Sequence, residues 1–195
     1  LSTVYGTASS SGVCNVSGTG LAAGITVLAP NGFEVSSSAT GPFTNTVTVG
    51  GAGTVTNASV YYRLTASAIP GNYTGNLNVT SLGAVPGSVT IPSSTVTQKN
   101  ISITGLSANN KQFDGTNVAT LSGTALLTGV LTSDTANVQL SGTPVATFST
   151  ASVGINIPVT VNGYSLTGSA AAYYILDALT LSANIDPAPL QNQTI

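Results

Sequence analysis

Apolar and polar side chains alternate along this chain in short runs, each bounded by Gly, Pro or Asn, and no stretch repeats at the helical period. In the first half the runs are Val13–Ser17, Ile25–Leu28, Phe33–Ser36, Thr46–Val49, Val60–Leu64, Gly75–Thr80 and Ser88–Ile91. The turn Pro30-Asn31-Gly32 between the second and third predicts a hairpin. In the second half they are Ile101–Leu106, Ala119–Ser122, Ala125–Leu131, Val138–Leu140, Val145–Phe148, Ile157–Val161, Tyr173–Leu176 and Leu179–Ile185. Short strands at spacings of roughly a dozen residues predict an all-β chain built of Greek-key sandwiches.

The 195 residues suffice for two small domains with cores of their own. Pro92 to Asn100, PSSTVTQKN, reads as the joint. The expected segments are 1–97, 98–186 and an extended tail at 187–195 that opens on Pro187 and Pro189. With 42% hydrophobic and only 4% charged residues, the balance is the reverse of a disordered chain's. The eight charges, Glu34, Arg63, Lys99, Lys111, Asp114, Asp134, Asp177 and Asp186, sum to −2 and form no basic cluster, which argues against nucleic acid as a partner. So few charges leave little repulsion to keep copies apart, so glycans or identical subunits are expected to cover part of the surface. No apolar run reaches the roughly 20 residues of a membrane span.

The stretch Ile101–Gly129, ISITGLSANNKQFDGTNVATLSGTALLTG, joins a period-two strand, a polar turn, the corner Phe113-Asp114-Gly115 and a second strand. It resembles the start of the bacterial YDG repeat of large secreted haemagglutinin-like and adhesin-like proteins, with Phe113 in place of the usual Tyr. The resemblance runs on through LSGTPVATFSTASVGINIPVTVNGYSLTGSAAAYYIL and ends near Ile185. In the first half, TVYGTASSSGVCNVSGTGLAAGITVLAPNGFEVS, GPFTNTVTV and VYYRLTASAIPGNYTGNLNVTS are similar to an immunoglobulin-like module that stands in tandem in surface proteins of Bacteroidetes-like bacteria. Together these imply two tandem immunoglobulin-like Greek-key β-sandwich domains, at the cell surface or outside it.

The same resemblance implies a strand ahead of LSTVYG and likens the tail to the first strand of a following module. The first module is therefore expected to lack its opening strand, and the tail to carry a spare one. An unfilled sandwich exposes an edge and a groove that an incoming strand satisfies. These expectations describe a structural subunit of an extracellular, pilus-like filament, polymerising head to tail by β-strand complementation. The first candidate donor strand is Leu190, Gln191, Asn192, Gln193, Thr194 and Ile195; the second is Leu1, Ser2, Thr3, Val4 and Tyr5. The alternative is a stalk fragment of a large tandem-repeat adhesin.

Candidate chemistry adds little. Without His no Ser-His or Cys-His pair can form, and Cys14, the single cysteine, reads as a core residue. No enzyme activity, cofactor or metal site is expected: Asp114 and Asp134 read as turn residues, with a surface calcium as the weaker reading. Lys99 and Lys111 lie near asparagines, a pattern that raises a Lys–Asn isopeptide crosslink, though both read as loop residues without a buried acid beside them. Of the Asn-x-Ser/Thr triplets, Asn57 and Asn72 are the favoured glycosylation sites. A carbohydrate-binding module is weakened by the absence of Trp, and ice binding rests only on Thr46-Val47-Thr48 and Thr95-Val96-Thr97. Tyr61-Tyr62 and Tyr173-Tyr174 are each expected to place one ring in the core and one outside.

Overall fold

The computed structural model describes residues 1–190 and is all-β, its helical content limited to two single 3-10 turns. The chain divides into two compact units, Leu1–Lys99 and Asn100–Ile195.

The first unit contains β1 (Ser2–Val4), β2 (Gly12–Leu21), β3 (Ile25–Leu28), β4 (Phe33–Ser36), β5 (Thr46–Val49), β6 (Gly53–Leu64), β7 (Gly71–Thr80) and β8 (Gly87–Thr97). They form a five-stranded sheet, β1-β8-β7-β3-β5, and a three-stranded sheet, β2-β6-β4. Each sheet buries alternate side chains: Ile25, Val27, Leu77, Ile91 and Val96 from the larger, Val16, Phe33, Val35, Val60 and Leu64 from the smaller. The Phe33 and Tyr73 rings meet edge to face across the two sheets at 6.3 Å.

The expected hairpin at Pro30-Asn31-Gly32 does not form. β3 pairs with β5 and β7, whereas β4 pairs with β6 in the other sheet. The turn thus carries the chain between sheets. Its Gly32 has a φ of +83° and lies against the Tyr73 ring, where a Cβ would collide. The expected joint at 92–100 is also mostly strand, since β8 runs to Thr97. Pro92 is tolerated because the β7–β8 register shifts there, with Gly75 opposite Ile91 and Tyr73 opposite Ser94. That step is a bulge, which demands no ladder donor from the ring nitrogen.

The second unit contains β9 (Lys99–Ala108), β10 (Lys111–Gln112), β11 (Val118–Ala119), β12 (Leu121–Thr128), β13 (Gln139–Ser141), β14 (Val145–Phe148), β15 (Gly154–Asn162), β16 (Ser165–Thr167), β17 (Tyr174–Leu176) and β18 (Leu179–Asp186). Its sheets are β10-β18-β15-β14-β11, β12-β9-β17 and the pair β13-β16. The core is Ala119, Ala146, Phe148, Ile157, Val159, Val161, Ala183 and Ile185, with Leu179, Leu181 and Tyr164 packed against it. These residues recur at every second position along β14, β15 and β18, as the alternation requires.

One device is common to the units. A short strand near the start of each unit closes the edge of the large sheet by pairing in parallel with the last strand: β1 with β8, Ser2 opposite Thr95 and Val4 opposite Thr97, and β10 with β18, Lys111 opposite Ile185 and Gln112 opposite Asp186. In the second unit the preceding strand, β9, lies antiparallel against the following one, β12, with Leu121 opposite Ala108 and Thr128 opposite Ser102. That ladder slips at Gly123, where φ is +93° and a Cβ would run into the carbonyl oxygen of Gly105.

Gly123→Ala is therefore expected to destabilise the protein by about 1–3 kcal/mol from backbone strain alone, and more from the collision. Gly51 faces open space, so Gly51→Ala should be neutral within about 0.5 kcal/mol. Denaturant unfolding of the two variants side by side checks this; equal stabilities would refute it.

Candidate functional site

The expected donor segments fall in different places. Leu1–Tyr5 is engaged within its own unit: besides the β1–β8 ladder, Thr95 N–H donates to the Leu1 carbonyl at 2.9 Å, Tyr5 N–H donates to Thr97 O at 2.9 Å, and the Leu1 ammonium donates to Ser94 Oγ at 3.1 Å. Tyr5 is buried. To serve another copy this segment would first have to leave its own sheet. Of the Leu190–Ile195 segment, only Leu190 is among the described residues, and it is 99% exposed; Gln191, Asn192, Gln193, Thr194 and Ile195 lie outside them.

The counterpart of a donor is an open edge. Among the described residues, β2 pairs on one side with β6, from Gly12 opposite Tyr62 to Leu21 opposite Gly53, and no strand lies along its other side. It is a ten-residue edge, long for an uncovered one. Val16 points inward and is buried, whereas Val13 on the outer face is 56% exposed. At the Leu21 end a groove of about 260 Å³ is lined by Gly18, Leu21, Ile25, Val79, Ala84 and Val85, and Val85 is 93% exposed. Cys14 stands on the same strand, half-buried, and burial pushes its thiol pKa up, the condition of an inert packing residue.

The aromatic-Asp-Gly corner is a tie between chain segments. Gly115 has a φ of +76°, which turns the chain so that Asp114 Oδ1 accepts from Thr116 N–H at 2.9 Å and from Thr116 Oγ1 at 2.9 Å. The Lys111 ammonium donates to Asp114 Oδ1 at 2.8 Å, Thr116 O at 2.7 Å and Thr116 Oγ1 at 3.0 Å, and stands 5.6 Å from the centre of the Phe148 ring. Phe113 N–H donates to Asp186 O at 2.8 Å, continuing the β10–β18 pairing. The Lys111 bond, followed by those from Thr116, holds the Asp114 carboxyl down at about 2 against an ordinary 3.8.

Lys111 is accordingly a strand residue of β10, half-buried, rather than the loop residue expected. Its three ammonium hydrogens are matched by three acceptors, an arrangement unlike the free amine an isopeptide bond requires. Lys99 likewise opens β9.

Asp134 differs from its turn-surface expectation in being buried, at 7% exposure, at the end of the 3-10 turn Thr132–Asp134. The Tyr174 hydroxyl donates to Asp134 Oδ2 at 2.6 Å and accepts from Leu131 N–H at 3.1 Å, and Ser133 Oγ donates to Asp134 Oδ1 at 3.1 Å. Burial first, then the bond to the carboxylate, pushes the Tyr174 hydroxyl up to about 12. Tyr174 is 3% exposed and Tyr173 half-buried, whereas Tyr61 and Tyr62 are both half-buried. Two more ties use the remaining polar reach of the chain. Arg63 Nε donates to Glu34 Oε1 at 2.6 Å across β4–β6, with its guanidinium 3.9 Å above the Phe43 ring. Asn100 Nδ2 donates to Asp177 Oδ1 at 2.6 Å. Among the described residues no three His, Cys, Asp or Glu side chains converge on a possible metal position.

The candidate glycosylation sites are both exposed. Asn57 takes a φ of +50° at a register shift of β2–β6, its N–H donating to Ser17 Oγ at 2.9 Å. Asn72 lies on β7, and its Oδ1 accepts from Thr95 Oγ1 at 3.1 Å. The Thr46-Val47-Thr48 pattern turns out to belong to a longer row: Thr48, Thr26 and Thr80 lie in register across β5, β3 and β7, with the first two hydroxyls 3.0 Å apart. Alternation in the sequence signals each threonine; only the register assembles the row. No helix of the described residues is long and apolar enough to cross a membrane.

Asp114→Asn should lower stability, and the loss should depend on pH. A carboxyl held below its unfolded value contributes fully above about pH 4 and loses that contribution as pH falls through about 2. The Tm gap between parent and variant should be widest near pH 5 and close towards pH 2; a gap independent of pH would refute the ion-pair account. Tyr174→Phe removes the hydrogen bonds to Asp134 Oδ2 and from Leu131 N–H and should cost about 1–3 kcal/mol, read by denaturant unfolding.

Residues 97–181 match the family described as the YDG domain. No curated protein matches the chain. The second unit accordingly contains a YDG-type module, and the Lys111-Gln112-Phe113-Asp114-Gly115-Thr116 corner lies within the matched residues.

Proposed function

We propose that this chain is a structural subunit of an extracellular, pilus-like bacterial filament, polymerising head to tail through β-strand complementation, and that its units are two immunoglobulin-like Greek-key sandwiches. The observation that carries this reading is the passage from one unit to the next. β8 is the last strand of the first unit, and a single residue, Gln98, separates it from β9, which pairs with β12 in the second. The segment directly after a last strand thus serves as the first strand of the succeeding unit. Residues 187–195 stand in the same relation to β18, and the donor in this reading is Leu190–Ile195.

A six-residue strand forms several main-chain bonds of about 0.5–1.5 kcal/mol net each and buries an apolar side chain worth about 1.5–3 kcal/mol. Such a contact joins unlike surfaces of identical subunits, a heterologous association that continues until a rotation closes it. Partner copies would also cover part of a surface that has little charge to keep it dispersed, and glycans on Asn57 and Asn72 would cover more. A stalk segment of a large tandem-repeat adhesin is the second reading, favoured by the YDG-type module. No enzymatic activity belongs to either.

Negative-stain electron microscopy of the 195-residue chain beside a version ending at Pro189 tests this. Filaments from the first and monomers from the second are expected. Monodisperse particles from both would overturn the subunit reading in favour of the stalk.

A further inference from the structure

Four separate segments of the first unit converge on a groove of about 430 Å³ at the start of β4. The β3–β4 turn and β4 supply Asn31 and Glu34, the segment before β5 supplies Asn45, the turn after β6 supplies Thr65, Ser67 and Ile69, and β7 supplies Tyr73. Main-chain bonds fix this rim: Thr65 N–H donates to Gly32 O at 3.0 Å, Phe33 N–H to Pro30 O at 3.1 Å, Ala29 N–H to Asn45 O at 2.9 Å and Ala68 N–H to Thr65 O at 3.2 Å. The Tyr73 ring is held in place too, by its hydroxyl donating to Ile69 O at 2.8 Å, by the edge-to-face contact with Phe33 and by Gly32 packed against it. A site whose shape is set in advance spends less of its binding energy on ordering.

We propose that this groove binds a neutral saccharide, a function beyond the assembly reading above and independent of it. The groups left unused decide the ligand class. The carbonyls of Pro30, Gly32, Asn45, Thr65 and Ile69 are already bonded, so little main chain remains for an extended peptide to pair with. The side chains are the reverse: among the described residues the amides of Asn31 and Asn45 have no hydrogen-bond partner, nor has Glu34 Oε2. The Thr65 and Ser67 hydroxyls, 3.0 Å apart, bond only each other. Glu34 is the one ionic residue lining the groove, and Arg63 Nε donates to its Oε1 at 2.6 Å, so no net charge is offered to an ion. Ile69, 47% exposed, and the Tyr73 ring add an apolar wall. Unused polar side chains beside an apolar wall match a pyranose, which carries hydroxyls around its rim and C–H bonds on its faces. The aromatic part that a Trp often takes falls here to a fixed tyrosine.

Saturation-transfer NMR observes the ligand and so works whether or not the chain assembles. The probes for the 195-residue protein are the methyl glycosides of glucose, galactose, mannose and N-acetylglucosamine, with glucuronate and glucosamine as charged counterparts. At least one neutral glycoside is expected to take up saturation, and the charged sugars several-fold less. Asn31→Ala and Asn45→Ala, which remove amides that hold nothing within the unit, should each weaken the signal several-fold without lowering the Tm. Asn76→Ala, on the exposed side of β7 outside the groove, should leave it unchanged. No saturation of any neutral glycoside would overturn the site, as would a signal equal in the parent and both groove variants, or a preference for the charged sugars. Monodisperse particles under the microscope would overturn filament assembly and leave this site standing.

Discussion

Main-chain hydrogen bonding at the margins of the sheets is the constraint on which this molecule rests. A β-sheet satisfies its interior peptide groups by geometry but leaves a row unsatisfied at each margin. Charged residues are a common guard for such margins, and this chain has eight in all. It relies on backbone instead. Each large sheet is finished on one side by a strand of two or three residues, β10 or β1, running parallel to the last strand of its unit. Other margins, the outer sides of β2 and β12 among them, carry no such strand among the described residues.

The scarce charges are placed inside the units. Glu34 with Arg63, Lys111 with Asp114, Asp134 with Tyr174 and Asp177 with Asn100 each bind one segment to another within a unit. Six of the eight ionic side chains are thereby used as fasteners. The YDG-type corner is the densest example, since Asp114 gathers an ammonium, a hydroxyl and a peptide N–H on one oxygen. Its chemistry is that of positioning: it fixes the exit from β10 so that the short strand stays docked on β18.

Much of this is legible from the residues alone, because strand alternation is local. Thr46–Val49 and Val145–Phe148 read from the pattern coincide with β5 and β14, and the Asp114–Gly115 corner declares its turn. Pairing is not local. Ile25–Leu28 and Phe33–Ser36 look like the arms of a hairpin, yet they enter separate sheets because each finds longer partners elsewhere, β7 and β6. Pro92 suggests a joint because a proline usually ends a ladder; a bulge makes it harmless. Asp134 has the neighbours of a turn residue, and its burial depends on Tyr174, forty positions away. The open side of β2 has no signature in its own residues, since an edge is defined by what lies beside it.

The parallel pairing of β1 with β8 has a mechanical consequence. Its two strands enter and leave the first unit at opposite ends of the ladder, Leu1 at one and Thr97 at the other. Tension along the chain would draw them past each other along their common axis. The bonds of Tyr5, Thr95 and their neighbours would be loaded together in shear, rather than opened one after another as in a peeled hairpin. Rupture then requires several bonds to fail at once, so this small patch of backbone is where the unit's resistance to pulling is concentrated.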